Sequence, residues 1–167
     1  MHRIRVESAR MTMDDTTWYD PATYAPIAHR SHGPRTLVLD YDGLHVTGSI
    51  TEGQGPARPI DVTLPSPAFD PSALHAVFGS IPWRPGLAVE LAMFDHEELA
   101  VVPTWVRVVG KEELATDAGP VDAWHLAVTK GERTVQYWLR AADGVDLKVT
   151  LEMGNGAAMR IAKGGVR

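Results

Sequence analysis

Alternation of apolar and polar side chains is clearest in the last third of the chain. Residues 121–129 (VDAWHLAVT), 133–139 (RTVQYWL) and 145–152 (VDLKVTLE) place apolar side chains at every second position, with Lys130–Gly131 and Asp143–Gly144 between them. A period of two sends successive side chains to opposite faces of a strand, and glycine at a connection lets the chain reverse tightly. These runs predict three consecutive antiparallel strands with one buried face and one wet face.

The same reading extends upstream. Ile4, Val6, Met11 and Met13 are candidates for a buried face in a loosely alternating segment. Residues 16–21 read as a strand end entering a turn, residues 27–30 as the returning strand, and His32–Gly33–Pro34 as a second turn. Leu37, Leu39 and Tyr41 alternate, Asp42–Gly43 supplies a hairpin turn, and Leu44, Val46 and Ile50 continue beyond it. Residues 51–59 hold two glycines and two prolines and predict a loop, after which Ile60, Val62 and Leu64 form another strand. Then the period changes. Asp70 is a helix cap, Pro71 suits the first helical position, Leu74, Val77 and Phe78 lie at helical spacing, and Gly79 falls just past the end. A helix this short depends on packing rather than on its own propensity.

Beyond Trp83, flanked by Pro82 and Pro85, the strand pattern resumes with Leu87, Val89, Leu91 and Met93. Residues 95–98 (DHEE) predict a polar turn. Residues 101–109 predict a strand in which Pro103 marks an edge or a bulge, and residues 111–120 a polar loop. Ala157, Met159 and Ile161 close the series. The expected architecture is mainly β: about ten antiparallel strands in a strongly curved sheet or incomplete barrel, with one short helix on its concave side. All 167 residues fit a single β-rich domain. A faint repeat runs through it, since residues 18–30 and 138–150 each read as a Trp-bearing strand, a turn and a returning strand.

Composition narrows the function classes. A net charge of −5 argues against a broad nucleic-acid surface, and the lack of cysteine excludes disulfides, thiolate metal sites and a cysteine nucleophile. The N-terminus has no continuous apolar stretch of the signal-peptide kind. No run approaches the roughly 18 apolar residues of a membrane-spanning helix, so the cytoplasm is the expected compartment.

Residues 18–23 (WYDPAT), 122–126 (DAWHL), 133–139 and 147–153 resemble the DUF3108-like domains of uncharacterised bacterial proteins, over most of the chain. In those domains a Trp-bearing hairpin with a following Asp recurs. The resemblance implies an architecture similar to the lipoprotein-carrier superfamily: a curved antiparallel sheet with helix across its mouth, able to hold acyl chains in its concave face. It supplies no catalytic residues.

The residues themselves offer little chemistry. His29 and His32, with Asp40 and Asp42 nearby, invite a metal reading, but a three-residue offset along a strand puts two side chains on opposite faces. They read as solvated loop residues, and no metal site or cofactor is assigned. Residues 95–98 read as a solvated hairpin tip rather than an acid–base pair. Ser49, Ser66, Ser72 and Ser80 lie in no nucleophile elbow, and no phosphate-binding glycine motif is present. Of five tryptophans, Trp124 and Trp138 read as core or cover, while Trp83 sits on a rigid loop beside the helix. The expected function is a non-enzymatic module binding an apolar or lipid-like molecule through Leu74, Val77, Phe78, Trp83, Leu91 and Met93. The alternative is an interaction module whose edge strands pair with a partner or a second copy.

Overall fold

The computed structural model describes the backbone at residues 2–8, 11–152 and 158–162, and side chains at residues 14–151. The burial expected of Ile4, Val6, Met11, Met13, Ala157, Met159 and Ile161 lies outside the described side chains. The first sheet holds β1 (His2–Ser8), β2 (Met11–Tyr19), β3 (Pro26–His32), β4 (Arg35–Asp42), β5 (His45–Glu52) and β6 (Arg58–Thr63) in sequence order. The second holds β7 (Ala88–Asp95), β8 (Ala100–Thr116), β9 (Gly119–Lys130), β10 (Arg133–Arg140), β11 (Asp146–Glu152) and β12 (Ala158–Ala162), again with sequence neighbours paired. Thus five strands make the body of each sheet, β2–β6 and β7–β11, with a further strand at each outer edge. The strands lie in two sheets, not one, and neither closes into a barrel among the described residues.

Two compact units can be distinguished, residues 1–74 with 92–102, and residues 75–91 with 103–167. In the first, cross-strand partners form a row: Thr17 opposite His29, His29 opposite Leu39, Leu39 opposite Gly48, Gly48 opposite Ile60. Partners in register share a face, so one sheet face changes from polar to apolar along this row. Its apolar end is the core: Leu37, Leu39, Val46, Ile50 and Ile60 pack with Leu64, Ala68 and Phe94. Gly48 is required where it stands. A β-carbon there would lie 1.9 Å from the Val38 carbonyl oxygen, and its φ of +150° disfavours any other residue.

In the second unit Val106, Leu126 and Val128 are buried along one face. The opposite face is covered by Trp138, which packs with Ala123 and Leu147. The His125 ring stacks on Trp138 at 4.4 Å, the Lys148 ammonium lies 3.8 Å from its centroid, and its indole N–H donates to Glu112. Trp124 is half-buried rather than core, with Lys111 5.9 Å from its ring.

The helix begins as read, with Asp70 accepting from the Ser72 N–H, but Pro71–Ala73 is a 3-10 turn and α1 runs Leu74–Ser80. Gly79 is therefore inside α1. The turn at Gly144 approaches so closely that a β-carbon on Gly144 would stand 2.6 Å from the Gly79 Cα, which leaves no room for a larger residue at position 144. Residues 111–116 are strand, not loop, because they pair with residues 119–124 of β9. Pro103 sits in β8, an inner strand, but pairing with β9 starts only at Trp105. The missing N–H of Pro103 breaks no bond on that side.

Candidate functional site: a buried histidine–aspartate centre

The polar end of the first unit's row carries the most organised chemistry among the described residues. Asp15 and Thr17 project from β2, His29 from β3 and Tyr41 from β4, on one face by register. Asp70 arrives from the start of the 3-10 turn and His96 from the turn after β7. Asp70 is fully buried, His29 is 2% exposed and His96 15% exposed.

Asp70 gathers donors from every side. Its Oδ1 accepts from the Ser72 backbone N–H at 2.9 Å and faces His29 Nδ1 at 3.1 Å. Its Oδ2 accepts from the Tyr41 hydroxyl at 2.7 Å and from His96 Nε2 at 3.0 Å, and lies 3.2 Å from His29 Nδ1. The other nitrogen of His29, Nε2, lies 3.4 Å from Asp15 Oδ2, which also accepts from the Ser72 hydroxyl at 3.3 Å. The two imidazoles meet edge to face at 4.9 Å.

This geometry sets the charges. Burial alone would lower the His29 pKa, but hydrogen bonds and charge attraction from Asp15 and Asp70 outweigh it and raise it to about 9. Burial alone would raise the Asp70 pKa. Hydrogen bonds from His29 and His96, and their charge, instead hold its carboxyl far below the usual range. Burial pushes the Tyr41 hydroxyl far up, and the Asp70 charge adds to that, so Tyr41 remains a neutral donor. His29 thus sits as an imidazolium between two carboxylates.

Sequence reading named single residues of this centre but assigned none of them to a site. His29 is buried in a strand, not solvated in a loop, and His32 lies exposed at the strand end. Asp95 is buried too, its carboxylate accepting from the Glu97 and Glu98 N–H groups at 2.7 and 3.0 Å. That turn is polar as expected, but it directs His96 inward. Asp70 was legible only as a helix cap. The available signal was a histidine at a strand position whose cross-strand partner, Leu39, is core.

The residues read as a ligand site are distributed between the two units. Phe78 and Val77 are buried on α1, and Phe78 meets Trp83 at 5.8 Å and Tyr137 at 5.4 Å, both edge to face. Trp83 and Leu91 are half-buried in the same unit. In the first unit Leu74 is half-buried, and Met93 is buried and bridged to Phe69.

The suspected repeat is present in the backbone. β2 has an irregularity between Trp18 and Tyr19, and β10 has one between Trp138 and Leu139. Both hairpins close alike: Tyr24 N–H to Asp20 carbonyl and Asp20 N–H to Ala25 carbonyl in one, Gly144 N–H to Arg140 carbonyl and Arg140 N–H to Val145 carbonyl in the other. Tyr24 and Gly144 both take a positive φ. A family model described as a protein of unknown function, DUF3108, matches residues 3–161. This chain belongs to the DUF3108 family. No curated protein and no solved structure matches it. Within this DUF3108 chain the two hairpins diverge in chemistry. Where the first has Thr17 opposite His29, the second has Tyr137 opposite Val149, and Asp15 corresponds to Val135. No helix among the described residues is long and apolar enough to cross a membrane.

Proposed function

We propose that this DUF3108 domain is a non-enzymatic binding module for an apolar or amphipathic small molecule, contacted through Trp83, with Phe78 packed against its ring and Val77 and Leu91 in the same unit. The observation that carries this reading is the state of Trp83. Its indole N–H donates to the Phe78 carbonyl at 2.9 Å, and its ring is half-buried. The accessible part of the ring therefore offers only carbon, which suits an apolar occupant and gives a polar one nothing to bond. The non-enzymatic part is supported by the first unit. The Ser72 hydroxyl donates to Asp15 rather than to an imidazole, so serine, base and orienter do not line up as a nucleophilic relay needs. Strand pairing with a partner is less well supported, because edge strand β6 exposes Arg58, Pro59 and Asp61, which discourage a further strand.

The test is organic extraction of freshly purified protein with mass spectrometry, beside titration of the extracted protein with oleate. A stoichiometric apolar molecule, or saturable oleate binding, is expected for the parent and is lost in Trp83→Asp. An empty extract together with no oleate binding would overturn the reading.

A further inference from the structure

We propose that His29 Nδ1, His96 Nε2 and the Asp70 carboxylate form a binding site for a divalent transition-metal ion of the zinc class, with Asp15 as the positioning residue for His29. The inference rests on the first unit alone and is independent of the apolar-ligand reading.

Its first support is geometric. The three ligand atoms lie within 4.8 Å of one another, and both nitrogens are already 3.0 and 3.1 Å from a carboxylate oxygen. Zinc bonds of about 2.0–2.1 Å in a tetrahedron put neighbouring ligand atoms roughly 3.3 Å apart. The remaining contraction falls on His96, the partly exposed member, which stands on a turn rather than in a strand. Two imidazoles and a carboxylate are a donor set that zinc and its first-row neighbours take readily.

The second support is the arrangement around His29. Both of its nitrogens face carboxylates, Nδ1 toward Asp70 and Nε2 toward Asp15. A neutral imidazole has one N–H. In the imidazolium a proton on each nitrogen answers both carboxylates; with the hydrogen kept on Nε2 toward Asp15, a cation can replace the Nδ1 proton that faces Asp70. A metal ion fills that role, and the carboxylate–histidine–metal relay is the arrangement that fixes a ligand's tautomer. Tyr41 and the Ser72 N–H hold Asp70 in the same way.

Third, Thr17 stands opposite His29 in the ladder, fully buried, and its hydroxyl has no hydrogen-bond partner among the described residues. An unsatisfied buried hydroxyl on the sheet face that carries His29 is costly and leaves polar capacity there for a ligand to meet. Finally, the repeated hairpin of the second unit folds with Val135, Tyr137 and Val149 at these positions, so the charges are not a requirement of the hairpin itself.

The experiment uses the whole chain, stripped with a chelator and titrated with Co2+. The expected result is one equivalent bound, with the visible absorption of a low-coordinate site, displaced by Zn2+. His96→Ala should weaken binding at least tenfold, whereas His45→Ala, which alters an exposed His–Asp pair, should leave it unchanged. Asp15→Asn keeps all three ligands and should weaken binding about tenfold through His29. It guards against a His96 variant that fails to fold. No Co2+ uptake by the parent, or undiminished uptake by a folded His96→Ala or Asp15→Asn protein, overturns the proposal.

Discussion

Asp70 accepts hydrogen bonds from a backbone N–H, a tyrosine and two histidines, and it opens the turn that leads into α1. One carboxylate thereby fixes a chain reversal and the charge centre of its unit. Tyr137 shows the contrasting solution. At the position equivalent to Thr17 it presents a ring to Phe78, and burial, reinforced by the Asp146 charge, pushes its hydroxyl up to about 12. An unfolded tyrosine titrates near 10. Between these values the unfolded chain loses its proton first, so it binds fewer protons than the folded one, and stability falls as pH rises. The fall is absent below pH 10 and reaches at most roughly 1.4 kcal/mol per pH unit. Urea midpoints measured from pH 9 to 12 should drop more steeply for the parent than for Tyr137→Phe, which keeps the ring and removes the ionisation. Parallel curves would show that Tyr137 does not hold its proton more tightly in the fold.

At the scale of the element, the hairpins depend on a few backbone positions. Gly43 and Gly131, with φ of +60° and +55°, open two-residue connections closed by the Asp42–His45 and Lys130–Arg133 pairs. Gly at the first loop position is what such tight turns need. Gly48 is different, because it is excluded from substitution by contact as well as by φ. Gly48→Ala should cost at least about 2 kcal/mol, since the β4 backbone must move away from the new carbon. Gly53 also has a positive φ (+53°), but a β-carbon there meets nothing within 4 Å, so Gly53→Ala should cost only about 1 kcal/mol. Denaturant midpoints for the two variants measure the difference, and equal losses would mean that the close approach at Gly48 is relieved without cost.

At the scale of the molecule, one hairpin design is used twice and given opposite interiors. The first copy surrounds an imidazolium with carboxylates, and the second packs aromatic and branched side chains. Removing one member of a buried ionic set leaves its partners uncompensated, whereas replacing the set with apolar residues is often neutral. His29→Val alone should therefore destabilise the protein by about 3–5 kcal/mol. Asp15→Val combined with His29→Val, which copies the second hairpin, should be about 1–2 kcal/mol more stable than His29→Val, because Asp15 is no longer left without its partner while Asp70 keeps His96, Tyr41 and the Ser72 N–H. The stability of the four proteins of this double-mutant cycle checks both values. A double variant less stable than His29→Val would show that the first copy depends on its charges.

By itself the sequence determined the β-rich class, most strand positions, the turns, the helix start and the paired Trp hairpins. These are local: a period of two, a glycine at a reversal or an aspartate before a proline acts within a few residues and leaves a local mark. Residues 111–116 escaped because they are polar and become strand only by pairing with β9. The division into two sheets was decided likewise, since alternation says that a strand has a partner and not which sheet it joins. The histidine–aspartate centre was the least legible. Each member has an ordinary local role, as strand residue, cap or turn, and long-range register alone carries His29, Asp70 and His96 to one point. Only there, out of water and within 3.0–3.2 Å, do the charges of His29 and Asp70 stabilise each other strongly enough to move their protonation, a property that no local stretch of sequence possesses.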